Sequence, residues 1–384
     1  MESFKIDQLF IGDSKEDLIK LGKARRLTYP IRAISTFNPV DRDVVHLIRL
    51  TEEKMIPELL GMRHERMMQN PFSYFRATAG IMEADLRAFD DCLSHIPVII
   101  CGDSHLTNFG FFASPERQLL FGLNDFDEAR IGNWEFDLKR LLTSIVLTGR
   151  INGFDQDAIK NVLRNSVHGY RRGIDYANSF DLLDLFYASY NINDLIEEMT
   201  ESEQMKAVLN KVAQRAPKNN SDKVVKKFTY LDADGQLRFN ENPPRARRVS
   251  PSLYAQLLQG MGEYQQSVSD DVRVLQTHYD PFLGAMHVNG RSFYVRQFRD
   301  MKDSIDPLKL DLESFSAYCL ICSFIFAVAH YESPTAPMIY GYVHKQRDLD
   351  DGLASWALAY ADQMERDYAA FSKYLQGEDG DLDD

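Results

Sequence analysis

Between Pro97 and Thr143 the chain sets Asp103, Asn108, Asp125 and Asp127 at the ends of apolar runs. Asp103 follows Val98-Ile99-Ile100, whose continuous apolar character marks a buried strand. Asn108 stands five positions later. Two apolar arms, Phe109–Phe112 and Gln118–Phe121, flank Ser114-Pro115-Glu116-Arg117, so the segment reads as a hairpin. Its second arm ends in Asn124-Asp125-Phe126-Asp127-Glu128. A carboxylate beside a substrate hydroxyl orients it and receives its proton, while an amide and a second carboxylate hold a divalent cation against phosphate. Asp and Asn also serve as simple turn and cap residues. Three of them at this spacing, each after an apolar run, favour the chemical reading.

The order strand, Asp-x-x-x-x-Asn loop, hairpin, Asp-Phe resembles the kinase-like phosphotransferases, especially the aminoglycoside and choline kinase type. Their loop reads roughly His-Gly-Asp-x-His-x-x-Asn, followed by Ile-Asp-Phe. Here Cys101 stands in place of the first histidine, and Asp127 in place of the glycine of an Asp-Phe-Gly. The resemblance implies that Asp103 orients and deprotonates the acceptor, that Asn108 and Asp125 hold magnesium, and that ATP is the donor. Of Asp127 and Glu128, read from the residues, one shares the metal and the other caps the following turn, with Asp127 taken as the metal ligand. His105 is expected to orient the loop by a hydrogen bond to backbone.

Longer motifs resemble the bacterial DUF2252 proteins, a family of unknown function. They are Asn70-Pro71-Phe72-Ser73-Tyr74-Phe75-Arg76, Cys101 to Gly110, Asn124 to Glu128 and Trp134 to Leu141. Later pieces are Asp280-Pro281-Phe282-Leu283-Gly284, Tyr294-Val295-Arg296-Gln297 and Asp300-Met301-Lys302. The resemblance runs from about residue 60 to about residue 375.

A conventional kinase carries a glycine-rich loop and a strand lysine ahead of the catalytic aspartate. The first hundred residues contain no Gly-x-Gly-x-x-Gly and no lysine in a clear strand. Either the site is degenerate, leaving a scaffold or pseudokinase that binds nucleotide without turnover, or the small lobe is permuted and comes from the hairpins after residue 222. Arg76, Arg296 and Lys302 are the cations chosen to face phosphate, with surface or structural ion pairing as the plainer alternative. A lower alternative is a metal-dependent phosphohydrolase, for which Asp103-x-His105 would be the first ligand pair. That chemistry also needs an Asn-His pair, which the nine histidines do not supply.

The net charge of −13 disfavours nucleic acid as a partner, since a nucleic-acid binder needs a basic surface. The partners expected are a nucleotide and an unknown small-molecule or protein acceptor. Four cysteines, Cys92, Cys101, Cys319 and Cys322, make no disulfide framework and suit a reducing, cytoplasmic compartment. MESFKIDQLF lacks the apolar core of a signal peptide. Ser314 to Ala329 is free of charge, but its sixteen residues fall short of the ~20 that span a bilayer, so a buried core helix is expected and no membrane insertion.

The fold class expected is α+β, protein-kinase-like or aminoglycoside-phosphotransferase-like, with a largely helical C-lobe and a small antiparallel sheet. The organisation reads as an N-terminal helical region (1–96), a catalytic core (97–215), a β-hairpin and helix region that forms the nucleotide-covering lobe in the permuted reading (222–304), a C-terminal helical region (305–376) and an acidic disordered tail (377–384). Helices are expected over 157–178, 181–214, from Pro251 to about Gln276, from Leu312 to His330 and from about Leu353 to Leu375. Asp234-Gly235 and Asn289-Gly290 mark hairpin turns. Trp134 and Phe136 pack the helix after the hairpin, from which Asp137 and Arg140 brace the catalytic loop.

Overall fold

The structure, a computed structural model, describes residues 13–114, 116–181, 184–185, 191–197, 199–219, 221–242, 248–262, 284–288, 291–295 and 301–377. Arg296, the Asn289–Gly290 turn, the acidic tail beyond Gly377 and the second half of the helix expected to reach Gln276 lie outside them. The protein is mixed α+β and mostly helical, with small antiparallel sheets. It divides into two compact units, one of residues 1–109, 125–188 and 306–384, the other of residues 110–124 and 189–305. Parts of the regions 1–96, 97–215 and 305–376 thus share one unit, and 222–304 falls in the other.

In chain order the larger unit begins with α1 (Lys15–Thr28), α2 (Pro71–Arg76) and α3 (Ala79–Arg87). Asn70 caps α2 by accepting from the Ser73 amide at 2.8 Å, and Pro71 at the first helical position costs no hydrogen bond there. The strands of this unit are β1 (Pro97–Ile100) and β4 (Arg130–Asn133); between them the chain forms β2 (Phe109–Ala113) and β3 (Leu119–Leu123), whose residues from Gly110 on belong to the smaller unit. Strands β1 and β4 pair antiparallel from Pro97↔Asn133 to Ile100↔Arg130.

Among the described residues of that unit the helices α4 (Trp134–Ile151), α5 (Gln156–Asn178), α6 (Leu312–Tyr331), α7 (Pro337–Val343) and α8 (Asp348–Leu375) follow. Helix α4 is buried from Trp134 to Gly149 on every face, because α5, α6, α8 and β1 all pack on it. Helix α6 is 20 residues long and apolar enough to cross a membrane by length and composition, but most of it is buried against α5 and α4. Cys319 and Cys322 lie fully inside it as free thiols, which is the core-packing role expected of them.

Helices α1 and α7 cross where two glycines meet the opposite backbone. A Cβ on Gly22 would collide with the Met338 carbonyl, and one on Gly341 with the Ile19 carbonyl. Neither obstacle is a side-chain end that can swing away. Gly22→Ala is therefore expected to destabilise the protein by about 3 kcal/mol, the upper part of the overpacking range. Urea denaturation checks this, and a loss below about 1 kcal/mol would mean that the helices separate freely.

The smaller unit holds β2 and β3, which are hydrogen-bonded neighbours around Ser114 and Gln118. Phe111 bridges to Asp303, whose carboxylate takes the Arg215 fork at 2.5 and 2.7 Å. The segment expected as one helix over 181–214 contains Ile192–Glu197 and Glu203–Arg215. Ser202 separates them, because its hydroxyl caps the second helix through the Met205 amide. Two further hairpins pair Thr229↔Phe239 through Leu231↔Leu237 (β5, Thr229–Leu231; β6, Leu237–Phe239) and Gly284↔Val295 through Val288↔Arg291 (β7, Gly284–Val288; β8, Arg291–Val295). Gly235 has φ +72°, as the Asp-Gly turn requires.

Candidate functional site

The loop 101–108 leaves the buried end of β1 and is held from below by side chains of α4 and α6. Asp137, 1% exposed, accepts the amide of Cys101 at 2.7 Å on one oxygen and that of Gly102 at 3.0 Å on the other. Ser104 Oγ donates to the Asp137 carbonyl, and the Leu106 amide to Ser144 Oγ. From α6, Tyr318 donates its hydroxyl to the Leu106 carbonyl, and His330 sets Nε2 3.3 Å from Asp137 and Nδ1 2.8 Å from Tyr170 Oη. Gly102 lies at φ +82°, where a Cβ would meet Glu128 and Arg130, so the loop passes the neighbouring loop too closely for a side chain.

This scaffold fixes Asp103. Arg140 donates to its Oδ1 from Nε at 2.7 Å, lies 2.5 Å away with Nη2, stacks over the Phe75 ring at 4.2 Å and donates to the Phe75 carbonyl. Burial alone would raise the Asp103 pKa. The Arg140 charge and then the His105 contact outweigh it and hold the carboxyl well below the usual carboxylate range. Asp103 is thus an ionised acceptor at neutral pH and remains 20% exposed.

His105 orients this site through side chains, where a backbone hydrogen bond was expected. Its Nε2 accepts from Arg76 Nε at 3.3 Å and lies 3.5 Å from Asp103, and its Nδ1 is 3.1 Å from Thr107 Oγ1. Burial lowers its pKa; Asp103 opposes that, while the charges of Arg76 and Arg140 reinforce it.

Asn108, 3% exposed, joins the two loops: its Nδ2 donates to the backbone carbonyls of Asp103 at 3.1 Å and Asp125 at 3.3 Å. With both N–H bonds so directed, Oδ1 is the atom these bonds leave for other use. Asp125, Asp127 and Glu128 are exposed. The Glu128 carboxyl is pushed above its ordinary pKa by partial desolvation and by the negative charge of Asp103, Asp125 and Asp127. Four carboxylates therefore lie within one another's field. Among the described residues no three His, Cys, Asp or Glu side chains form a ready-made metal cage. Magnesium needs none, since it binds one or two carboxylates and completes its shell with water and substrate phosphate.

Arg76 is exposed at the end of α2, and among the described residues its guanidinium has His105 as its one hydrogen-bond partner. Lys302 belongs to the other unit, where its carbonyl accepts from Asn219 Nδ2. Two supports had no signal in the sequence. Glu83 on α3 pairs with Arg130 of β4, which in turn donates to the Glu128 carbonyl at 2.8 Å. Glu83 reads as one more solvated position on an amphipathic helix, and β4 is too short and too polar to announce itself.

Comparison with known proteins adds the family. No curated protein and no solved structure matches the chain. The model of a family described as an uncharacterised protein conserved in bacteria matches residues 54–279 and 268–374, spanning β1, both loops and most of α8. That match extends over well more than half of the 384 residues, and the chain belongs to the DUF2252 family.

Proposed function

We propose that the chain is a kinase-like, magnesium-dependent phosphotransferase that uses ATP on a hydroxyl acceptor. The observation carrying this reading is the joining of the Asp103 loop to the Asp125 loop through the Asn108 amide, with Arg76 beside them. Asp103 accepts the hydrogen bond of the acceptor hydroxyl and aims its oxygen. So strongly ionised a carboxylate is a weak base, so its work is orientation, and the proton departs late, as suits a loose phosphoryl-transfer transition state. Asp125, Asn108 Oδ1 and Asp127 are the groups to hold magnesium, which when bound neutralises phosphate charge. Arg76 takes a phosphate oxygen pair.

The tie of Asp103 to Arg140 also supports a second reading, a pseudokinase that binds nucleotide without turnover. Magnesium-dependent hydrolysis of ATP by the purified protein separates the two. Asp103→Asn is expected to lower that rate at least 100-fold while leaving nucleotide affinity within about threefold, since the residue touches the acceptor rather than the donor. Binding with no turnover in the wild type selects the pseudokinase. Turnover unchanged in Asp103→Asn would remove Asp103 from the chemistry.

A further inference from the structure

A small cavity lies within the larger unit, walled among others by Asn38, Asp85, Cys92, Lys139, Trp356 and Tyr360. Trp356 and Tyr360 stack at 5.0 Å, and Phe37 meets both edge-on. Lys139 is 1% exposed and sets its ammonium 4.7 Å from the centroid of the Trp356 ring. Among the described residues it has no hydrogen-bond or ion-pair partner.

The nearby carboxylates are already committed. Asp85 takes Arg42 at 2.6 and 2.7 Å and the Tyr360 hydroxyl at 2.8 Å, and Glu135 takes the Ser94 amide and hydroxyl. Asn38 donates one Nδ2 hydrogen to Cys92 Sγ at 3.3 Å and keeps the second. A buried ammonium with three unmatched donors is costly, and oxygen acceptors relieve it. The opposing walls are aromatic, and the two donors available, Lys139 Nζ and Asn38 Nδ2, suit an acceptor with two oxygens.

The geometry points to this cavity as a binding site for the carboxylate group of a small organic monoanion, with Lys139 as its cation and Asn38 as its second donor. One cation beside committed carboxylates excludes a dianion, and the small space limits the buried part to a few heavy atoms. Burial lowers the Lys139 pKa to about 8, against the raising effect of Glu135 and Cys92, so the group is still mostly charged at neutral pH and available to the anion.

Titration with sodium acetate and with propionate at constant ionic strength, chloride as the balancing anion, tests this through tryptophan fluorescence and thermal melting. A saturable change with a midpoint in the millimolar range and a raised Tm are expected with acetate, and none with acetamide, its neutral isostere. Lys139→Met is expected to fold, since it removes a desolvated charge, and to lose the response. Asn38→Leu, which leaves the lysine in place, is expected to weaken it at least tenfold. No saturable response to either carboxylate, an equal response to acetamide, or a response retained in both variants would overturn the assignment, and chloride alone abolishing the acetate response would make the site a halide pocket instead.

Discussion

Arg140→Met is expected to cost about 3–5 kcal/mol of stability at pH 7, the penalty for leaving a partly buried charge without its partner. The guanidinium is 3% exposed and serves Asp103, the Phe75 carbonyl and the Phe75 ring together, so the variant strands an ionised carboxylate and a carbonyl at once. The loss carries a pH signature. Asp103 has its pKa depressed in the folded state, so its contribution is fully present above the unfolded value of ~3.9 and is lost as pH falls through the depressed folded value. The difference between wild type and Arg140→Met therefore shrinks as pH falls below about 4. Urea denaturation at pH 7 and pH 3 measures it. Adding Asp103→Asn to Arg140→Met should recover part of the loss, because the uncompensated charge is then gone. A loss below about 1 kcal/mol, or one identical at both pH values, would mean that the pair does not hold the loop.

Asp137→Ala is expected to be at least as damaging, about 4 kcal/mol, because two amides lose their acceptor together and buried unsatisfied donors cost ~1–3 kcal/mol each. His330 loses its carboxylate in the same stroke. Asp137→Asn keeps one acceptor oxygen and should lose about half as much. The local effect is specific. In native-state hydrogen exchange the amides of Cys101 and Gly102 should lose protection by far more than those of the α5 helix, which Asp137 does not touch. Equal loss of protection throughout would assign Asp137 to the global core rather than to the loop.

Much of this frame is legible in the chain. Val98-Ile99-Ile100 has no polar interruption because both faces of β1 are buried, and that is what its apolar run announces. Trp134 and Phe136 open α4, from which Asp137 and Arg140 brace the loop as their place behind the hairpin suggested. Pairings across long stretches of sequence are another matter. Nothing in Ala-Gly-Ile-Met-Glu around Glu83 points to Arg130, forty-seven positions on. Lys139 sits in Asp-Leu-Lys-Arg, a string that reads as a solvated face, yet packing on every side of α4 buries it. Tertiary surroundings decide such a residue, and local pattern cannot carry them. His105 was legible as an orienting group, but its partners came from α2 and from its own loop, which only the folded chain brings together.

The proposed function needs the Asp103 and Asp125 loops to hold magnesium and nucleotide together. Thermal melting of wild type and Asp125→Ala with ATP, with and without magnesium, tests it most directly. Asp125 is exposed, and the Asn108 amide holds it by its backbone carbonyl, which alanine keeps, so Asp125→Ala is expected to fold. ATP is expected to raise the wild-type Tm only when magnesium is present, and Asp125→Ala to abolish the rise. Stabilisation of both proteins alike, or of neither by any nucleotide, would contradict it.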